Sequence, residues 1–468
     1  MTEEEKYPPG VRRHIEEANK IQAQREKQLS RVKGLRFDTI TVHGLYTAEE
    51  ALSMNQGAVI EPLYFSTAQA YRDSDEMEAA LSYLIPTWCY TRFANPTTTY
   101  LEWILALLEG YRTGHDTSCV VTSSGMSAIM LAVDALLVKQ KKGPETINFV
   151  SSIQIYGGTY QHFTVRKMQE RGIEVRWVNH PEDIEEWKAK IDEDTRFLYA
   201  EAPSNPHQAF CDVKALADLA HSWEIPFIID STCATPALMR PIAHGADIVI
   251  HSLTKSMTSG GMAIGGALIS RNPLITRVRN DNPLFKEKFA EYIKFFPYRD
   301  NGPAASPMNA LFTLNDLRTL RSKMDLLSQN AQKVAEYLCQ HPRVYQVDYL
   351  GLPSFSFHPL AKKYMKLVDS EEGEGGEINR YGHLLSFRVD GPPENARRVF
   401  DNFRIIIRAG DLGRIKSIAT IPAISTHLQQ GEEARQKADI PPQMIRLCVG
   451  AEHPEDLIQD LDQALGSL

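Results

Sequence analysis

Between about residues 115 and 270 the chain alternates short apolar, β-rich runs with segments whose apolar positions recur every three or four residues. The runs at 118–122, 146–150, 196–200, 226–230, 247–251 and 266–270 read as strands. The segment 212–223 carries Leu216, Leu219, Ala220 and Trp223 on one helical face. Such alternation predicts a mainly parallel sheet covered by helices on both sides. After Pro303 the pattern changes. Leu317, Leu320, Met324, Leu327, Ala331, Val334 and Leu338 keep one apolar face, which predicts a single helix of about six turns leading into a smaller α+β domain. Strands at 383–389 and 445–449 and a final helix at 455–465 belong to that domain. Near the start, 11–32 predicts a helix with a rough stripe of Ile15, Ala18, Ile21 and Leu29, either a solvated arm or a partner-binding helix.

Composition narrows the class. The 468 residues are 43% hydrophobic and 24% charged, with 51 basic against 59 acidic side chains. That is globular composition, long enough for one large and one smaller domain. A formal charge of −8 without a long basic run argues against nucleic acid as the main partner. No stretch approaches the roughly eighteen apolar residues of a membrane span, and the acidic opening MTEEEKYPPG has no apolar signal core. The stretch SEEGEGGE at 370–377 reads as an exposed acidic loop. Six cysteines without CxxC or zinc-finger spacing read as reduced, mostly buried thiols of a cytoplasmic protein, and no metal site is expected.

Ligands of open α/β sheets sit at the carboxyl ends of the strands, so the polar residues there are the candidates. Thr122 to Ala128 (TSSGMSA) closes a strand and opens an apolar helix; its small residues suit an anion at a helix N-terminus, or a plain serine cap. Asp230 ends an apolar strand and needs a cation or donors to stay ionised; a protonated pyridine nitrogen is one such partner, a capping role the other. Lys255, among the hydroxyls of Ser252 and Thr254, suits a Schiff base with an aldehyde or a snorkelling surface role. Tyr156 suits stacking on a flat ring, or core packing. GxGxxG, GxxxxGK[ST], HExxH and GxSxG are absent. Together the four signals describe pyridoxal 5′-phosphate (PLP).

With these motifs in view, the sequence resembles the Cys/Met-metabolism family of PLP enzymes, the cystathionine γ-synthase-like group of fold type I. The resemblance runs from about Phe37 to Leu465 through FDTITVH at 37–43, YTRFANPT at 90–97, SSGMSA at 123–128, YGGTY at 156–160, EAPSNP at 201–206, DSTCATP at 230–236, HSLTKS at 251–256, PAISTH at 422–427 and RLCVG at 446–450. It implies a seven-stranded, mainly parallel sheet between helices and a smaller C-terminal α+β domain. The expected division is an N-terminal arm at 1–75, a PLP-binding domain at 76–305 and a C-terminal domain at 306–468.

The resemblance also implies roles. Lys255 would carry the cofactor and shuttle protons. Asp230, with Thr232 beside it, would pair with the ring nitrogen, and Tyr156 would stack on the ring and assist catalysis. Ser124, Gly125, Met126, Ser252 and Thr254 would hold the phosphate, and Asn205 would lie near the phenolic oxygen. Tyr90 and Arg92 would complete the phosphate site of a neighbouring subunit, with Tyr90 also reaching substrate and proton transfer. Arg446 would clamp the substrate carboxylate, and Ser417 would line the pocket. The minimal unit would be a dimer, with homotetramers usual. YGGTYQHF at 156–163, GIEV at 172–175 and Lys416 before Ser417 look most like the sulfhydrylase subgroup that acts on O-acetylhomoserine, whereas EAPSNP departs from many of its members. The expected reaction is γ-replacement on an O-acylated homoserine by sulfide or a thiol, with a γ-lyase or cystathionine γ-synthase as the alternative.

Overall fold

Successive residues of the central strands enter two different cores, which is why these runs are apolar throughout rather than alternating. In a computed structural model, which describes residues 7–85, 88–138, 147–372 and 376–468, seven strands form one sheet: β1 (Asp116–Thr122), β2 (Asn148–Ser152), β3 (Glu174–Val178), β4 (Thr195–Glu201), β5 (Phe227–Asp230), β6 (Ile248–His251) and β7 (Gly266–Asn272). Their order is β1-β7-β6-β5-β4-β2-β3. β2 to β6 run parallel, and β7 is antiparallel to both β6 and β1. Leu198, Ile229, Val249 and Ile269 face one core; Phe197, Tyr199, Ile228, Ile250 and Leu268 face the other. The period-two geometry of a strand makes this division. Helix Gly125–Leu136 seals the second core, and helices Pro96–Glu109 and Val213–Ser222 the first. β3, an edge strand, was not among the expected runs, because Glu174 and Arg176 interrupt its apolar pattern.

The expected helix of about six turns is Leu320–Gln340; Leu317, at the start of the expected stripe, instead closes a preceding helix, Pro307–Leu317, with a break between the two. Arg318 at the break reaches Val42 O (2.7 Å) and Glu61 (2.5 Å). Leu317 and Leu320 are both buried, so the apolar stripe runs across the break and periodicity alone does not reveal it. The second helix leads to a five-stranded sheet of β8 (Val344–Asp348), β9 (Leu384–Val389), β10 (Ile407–Arg408), β11 (Ile418–Thr420) and β12 (Met444–Cys448), in the order β10-β11-β12-β9-β8. β12, at its centre, pairs Arg446 with Thr420 on one side and Ser386 on the other. Helix Pro454–Leu465 follows.

The N-terminal helix is Pro9–Val32 and buries Val11, His14 and Val32. Of the expected stripe, Ile15, Ala18 and Leu29 are half-buried, Leu29 against the first core, and Ile21 is exposed; Arg25 lies over the rings of Trp88 and Trp103, and His14 Nε2 lies 2.9 Å from Asp73. Residues 1–6 of the opening, position 146 of the second expected strand and 373–375 of the acidic loop lie outside the described residues. Among the described residues no helix is long and apolar enough to cross a membrane.

Candidate active site

The carboxyl ends of β1, β2, β4, β5 and β6 open on the same edge of the sheet, and the expected residues lie there. Asp230 ends β5 directly beside Glu201, which ends β4. Asp230 Oδ1 accepts the Thr232 N–H (3.0 Å) and hydroxyl (2.6 Å). Burial holds the Asp230 carboxyl above its ordinary value despite the Thr232 donors, and burial and the Asp230 charge push the neighbouring Glu201 well above its own. Glu201 itself accepts the backbone N–H of Tyr156 (2.7 Å) and of Asn205 (2.8 Å). Thus one buried carboxylate fixes both the loop after β2 and the EAPSNP loop. Tyr156 leaves that loop 38% exposed, free to cover a ring.

Helix Gly125–Leu136 starts against the loop after β6. Ser124 is its N-cap, with Oγ accepting Ser127 N–H at 3.1 Å. A Cβ on Gly125 would fall 2.8 Å from Ser252 Cβ, so a glycine is what lets this N-terminus approach Ser252. The Ser252 N–H donates to Thr232 Oγ1 at 2.8 Å, which ties the two loops. The Thr254 hydroxyl is engaged with Gly265, donating to its carbonyl (3.2 Å) and accepting its N–H (3.1 Å). The backbone N–H groups at the helix start, beside Ser252, are the kind of donors that could hold an anion.

Lys255 Nζ donates to Asp411 Oδ1 at 2.7 Å. Arg446 is 1% exposed; its Nη1 donates to Asn205 Oδ1 (2.9 Å), its Nη2 to Asp411 O (2.6 Å), and its Nε has no partner. A buried guanidinium with an unpaired N–H is short of an acceptor, and a carboxylate is the acceptor its planar fork matches. Ser417 is placed otherwise than expected: its hydroxyl donates to Glu452 Oε2 (2.9 Å) and accepts Gly450 N–H (2.8 Å), which anchors the segment instead of lining a pocket. Lys416 beside it is exposed. Tyr90 and Arg92 make no hydrogen bond to Lys255. Tyr90 is 45% exposed, Arg92 stacks over it at 5.4 Å and donates to Arg299 O.

Asp411, Arg414 and Glu201 were not singled out by sequence reasoning. Glu201 lies in a quoted motif; Asp411 and Arg414 sit in a turn that carries no periodic signal.

The donor set fits PLP: an anion cradle that a Cβ at Gly125 would obstruct, a buried carboxylate for the ring nitrogen, an aromatic beside it and an amine within the same edge. Fold and site together define a PLP-dependent enzyme of fold type I. The chain belongs to the Cys/Met metabolism PLP-dependent enzyme family, whose model matches residues 38–466. A homocysteine synthase of Schizosaccharomyces pombe is 34% identical, over 93% of this chain and 99% of that one. An L-methionine gamma-lyase of Porphyromonas gingivalis is 32% identical, over 92% and 97%. A Campylobacter jejuni structure described as an O-acetylhomoserine (thiol)-lyase, solved with a pyridoxyl-lysine phosphate, is 32% identical, has a TM-score of 0.81 and covers 92% of this chain and 100% of its own.

Proposed function

We propose that the protein catalyses γ-replacement on an O-acylated homoserine, with sulfide or a thiol as nucleophile, giving homocysteine or a related sulfur amino acid. The observation that carries this reading is the buried Arg446, held by Asn205 and the Asp411 carbonyl with Nε unpaired, in a chain 34% identical to a homocysteine synthase along 93% of its length.

Bound PLP supplies the electron sink that acidifies the substrate's hydrogens. The chain's residues do the rest. Arg446 receives the α-carboxylate and so orients the α-hydrogen. Lys255 Nζ takes that proton and moves protons between the α- and β-positions, so that the acyl group leaves Cγ as a carboxylate and the thiolate adds there. Asp230 holds the proton of the ring nitrogen, Tyr156 covers the ring, and the start of helix Gly125–Leu136 with Ser252 holds the phosphate. Tyr90 and Arg92, which do not bond Lys255 within one chain, serve the site of a second copy, in a dimer or a dimer of dimers. The division at 1–75, 76–305 and 306–468 and a cytoplasmic setting belong to the same reading.

The test is purified, PLP-loaded protein with O-acetyl-L-homoserine, with and without sulfide. Homocysteine as the main product in the presence of sulfide supports replacement. 2-Oxobutyrate and ammonia regardless of sulfide would mean a γ-lyase, the activity named for the relative of Porphyromonas gingivalis.

A further inference from the structure

One turn, residues 411–414, holds Lys255 from several directions. Gly413 has φ +76°, and a Cβ there would lie 2.7 Å from Lys255 Cα and 2.6 Å from Ser256 N. The turn's backbone therefore rests directly on that of Lys255, which only glycine permits. Asp411 Oδ1 accepts from Lys255 Nζ at 2.7 Å. Asp411 Oδ2 accepts from Arg414 Nε at 2.6 Å, and Arg414 Nη1 donates to the carbonyls of Thr254 (2.7 Å) and Thr258 (3.1 Å) on either side of the lysine. The Asp411 carbonyl meanwhile accepts from Arg446 Nη2. A single residue thus touches the amine through its side chain and the carboxylate clamp through its backbone.

We propose that Asp411 is a positioning residue for Lys255: its carboxylate is the counter-ion on which the amine rests, as an ammonium, whenever the link to the cofactor is open, and Arg414 aims that carboxylate. This rests on the reading of Lys255 as the cofactor's lysine. The physical need is charge. A proton collected by Nζ makes an ammonium in a partly buried site, and a carboxylate in contact stabilises it and fixes where its hydrogens point. Asp411 stays ionised for the task. Burial pushes its carboxyl up, but the Lys255 hydrogen bond and charge, the Leu412 N–H and Arg414 outweigh this and hold it below its ordinary value. The charged and titratable groups facing the pair are Arg414 on the same turn, Arg446 from β12 and Tyr156 after β2. Behind Gly413, whose N–H donates to Cys448 Sγ at 3.0 Å, stands the Cys448–His383 pair.

The test compares PLP-loaded parent, Asp411→Asn, Asp411→Glu and Arg414→Gln. Borohydride trapping locates the cofactor, and the visible absorbance of the lysine–cofactor link is titrated against pH. Losing the carboxylate destabilises the protonated nitrogen, so Asp411→Asn lowers the midpoint by about one unit, at the small end for a half-buried pair. Losing the guanidinium does the reverse, so Arg414→Gln raises it. Turnover of Asp411→Asn falls at least about tenfold, with KM little changed, and Asp411→Glu recovers the midpoint. Mere loosening of the turn would not produce opposite shifts. Midpoints that stay put, or move the same way in both variants while the cofactor is trapped on Lys255, overturn the proposal. Failure to trap parent Lys255 overturns the cofactor reading and the proposal with it. Should Asp411→Asn not fold, Arg414→Gln decides alone, and an unmoved or lowered midpoint sinks the idea.

Discussion

Replacing Asp230 by Asn should move the empty and the loaded protein in opposite directions. The side chain is 7% exposed, and Asn keeps its shape and the Oδ1 bonds from Thr232 at 3.0 and 2.6 Å. What changes is charge. Burial raises the folded carboxyl above its unfolded value, outweighing the Thr232 donors and His251. A raised carboxyl binds protons more tightly folded than unfolded, so stability falls as pH rises from the unfolded value through the folded one, and above it the full cost remains. Asn carries no such cost, so the PLP-free variant should melt higher than the PLP-free parent above that window. With PLP the sign reverses, because the protonated ring nitrogen loses a charge-assisted hydrogen bond. Such bonds contribute about 1.5–3 kcal/mol, or about 10- to 150-fold in the dissociation constant for PLP. Absorbance titration of the PLP-free protein gives the affinity, and thermal melts with and without PLP give the two signs. A variant that binds PLP within twofold of the parent, or melts lower in both forms, would refute the assignment of Asp230 to the ring.

Gly125→Ala should weaken PLP binding about 5- to 150-fold, since its Cβ would lie 2.8 Å from Ser252 Cβ and overpacking costs about 1–3 kcal/mol; unchanged affinity in the same titration removes the cradle from the phosphate site. Arg446→Lys loses the planar fork between Asn205 and the Asp411 carbonyl, so KM for the amino acid should rise about 100-fold, with a smaller change in kcat; steady-state kinetics reads the split. Arg92→Ala and Lys255→Ala are each expected to be impaired alone. If sites are shared between two copies, refolding the two variants together should restore about a quarter of parental activity, because half the dimers are hybrids with one intact site in two; no recovery from a mixture shown to contain hybrids counts against sharing.

What the sequence made legible follows one rule, and so does what it hid. Asp230, Lys255, Tyr156 and the TSSGMSA stretch each follow an apolar run, and the carboxyl ends of parallel strands converge in space whatever connects them. Reading the strands therefore gathered residues more than a hundred positions apart. Glu201 also ends a strand, but its work is visible only in three dimensions, where its two oxygens hold the N–H groups of Tyr156 and Asn205 and its register neighbour is Asp230. The break at Arg318 escaped because burial runs through it; periodicity reports which face is dry, not whether the backbone is continuous. Asp411 and Arg414 escaped for a third reason. A charged residue in a turn reads as solvated, and only the close seat of Gly413 on Lys255 shows that this turn faces inward. Tyr90 and Arg92 are different again: no reading of one chain brings them to Lys255, so their place in the site stands or falls with the hybrid experiment.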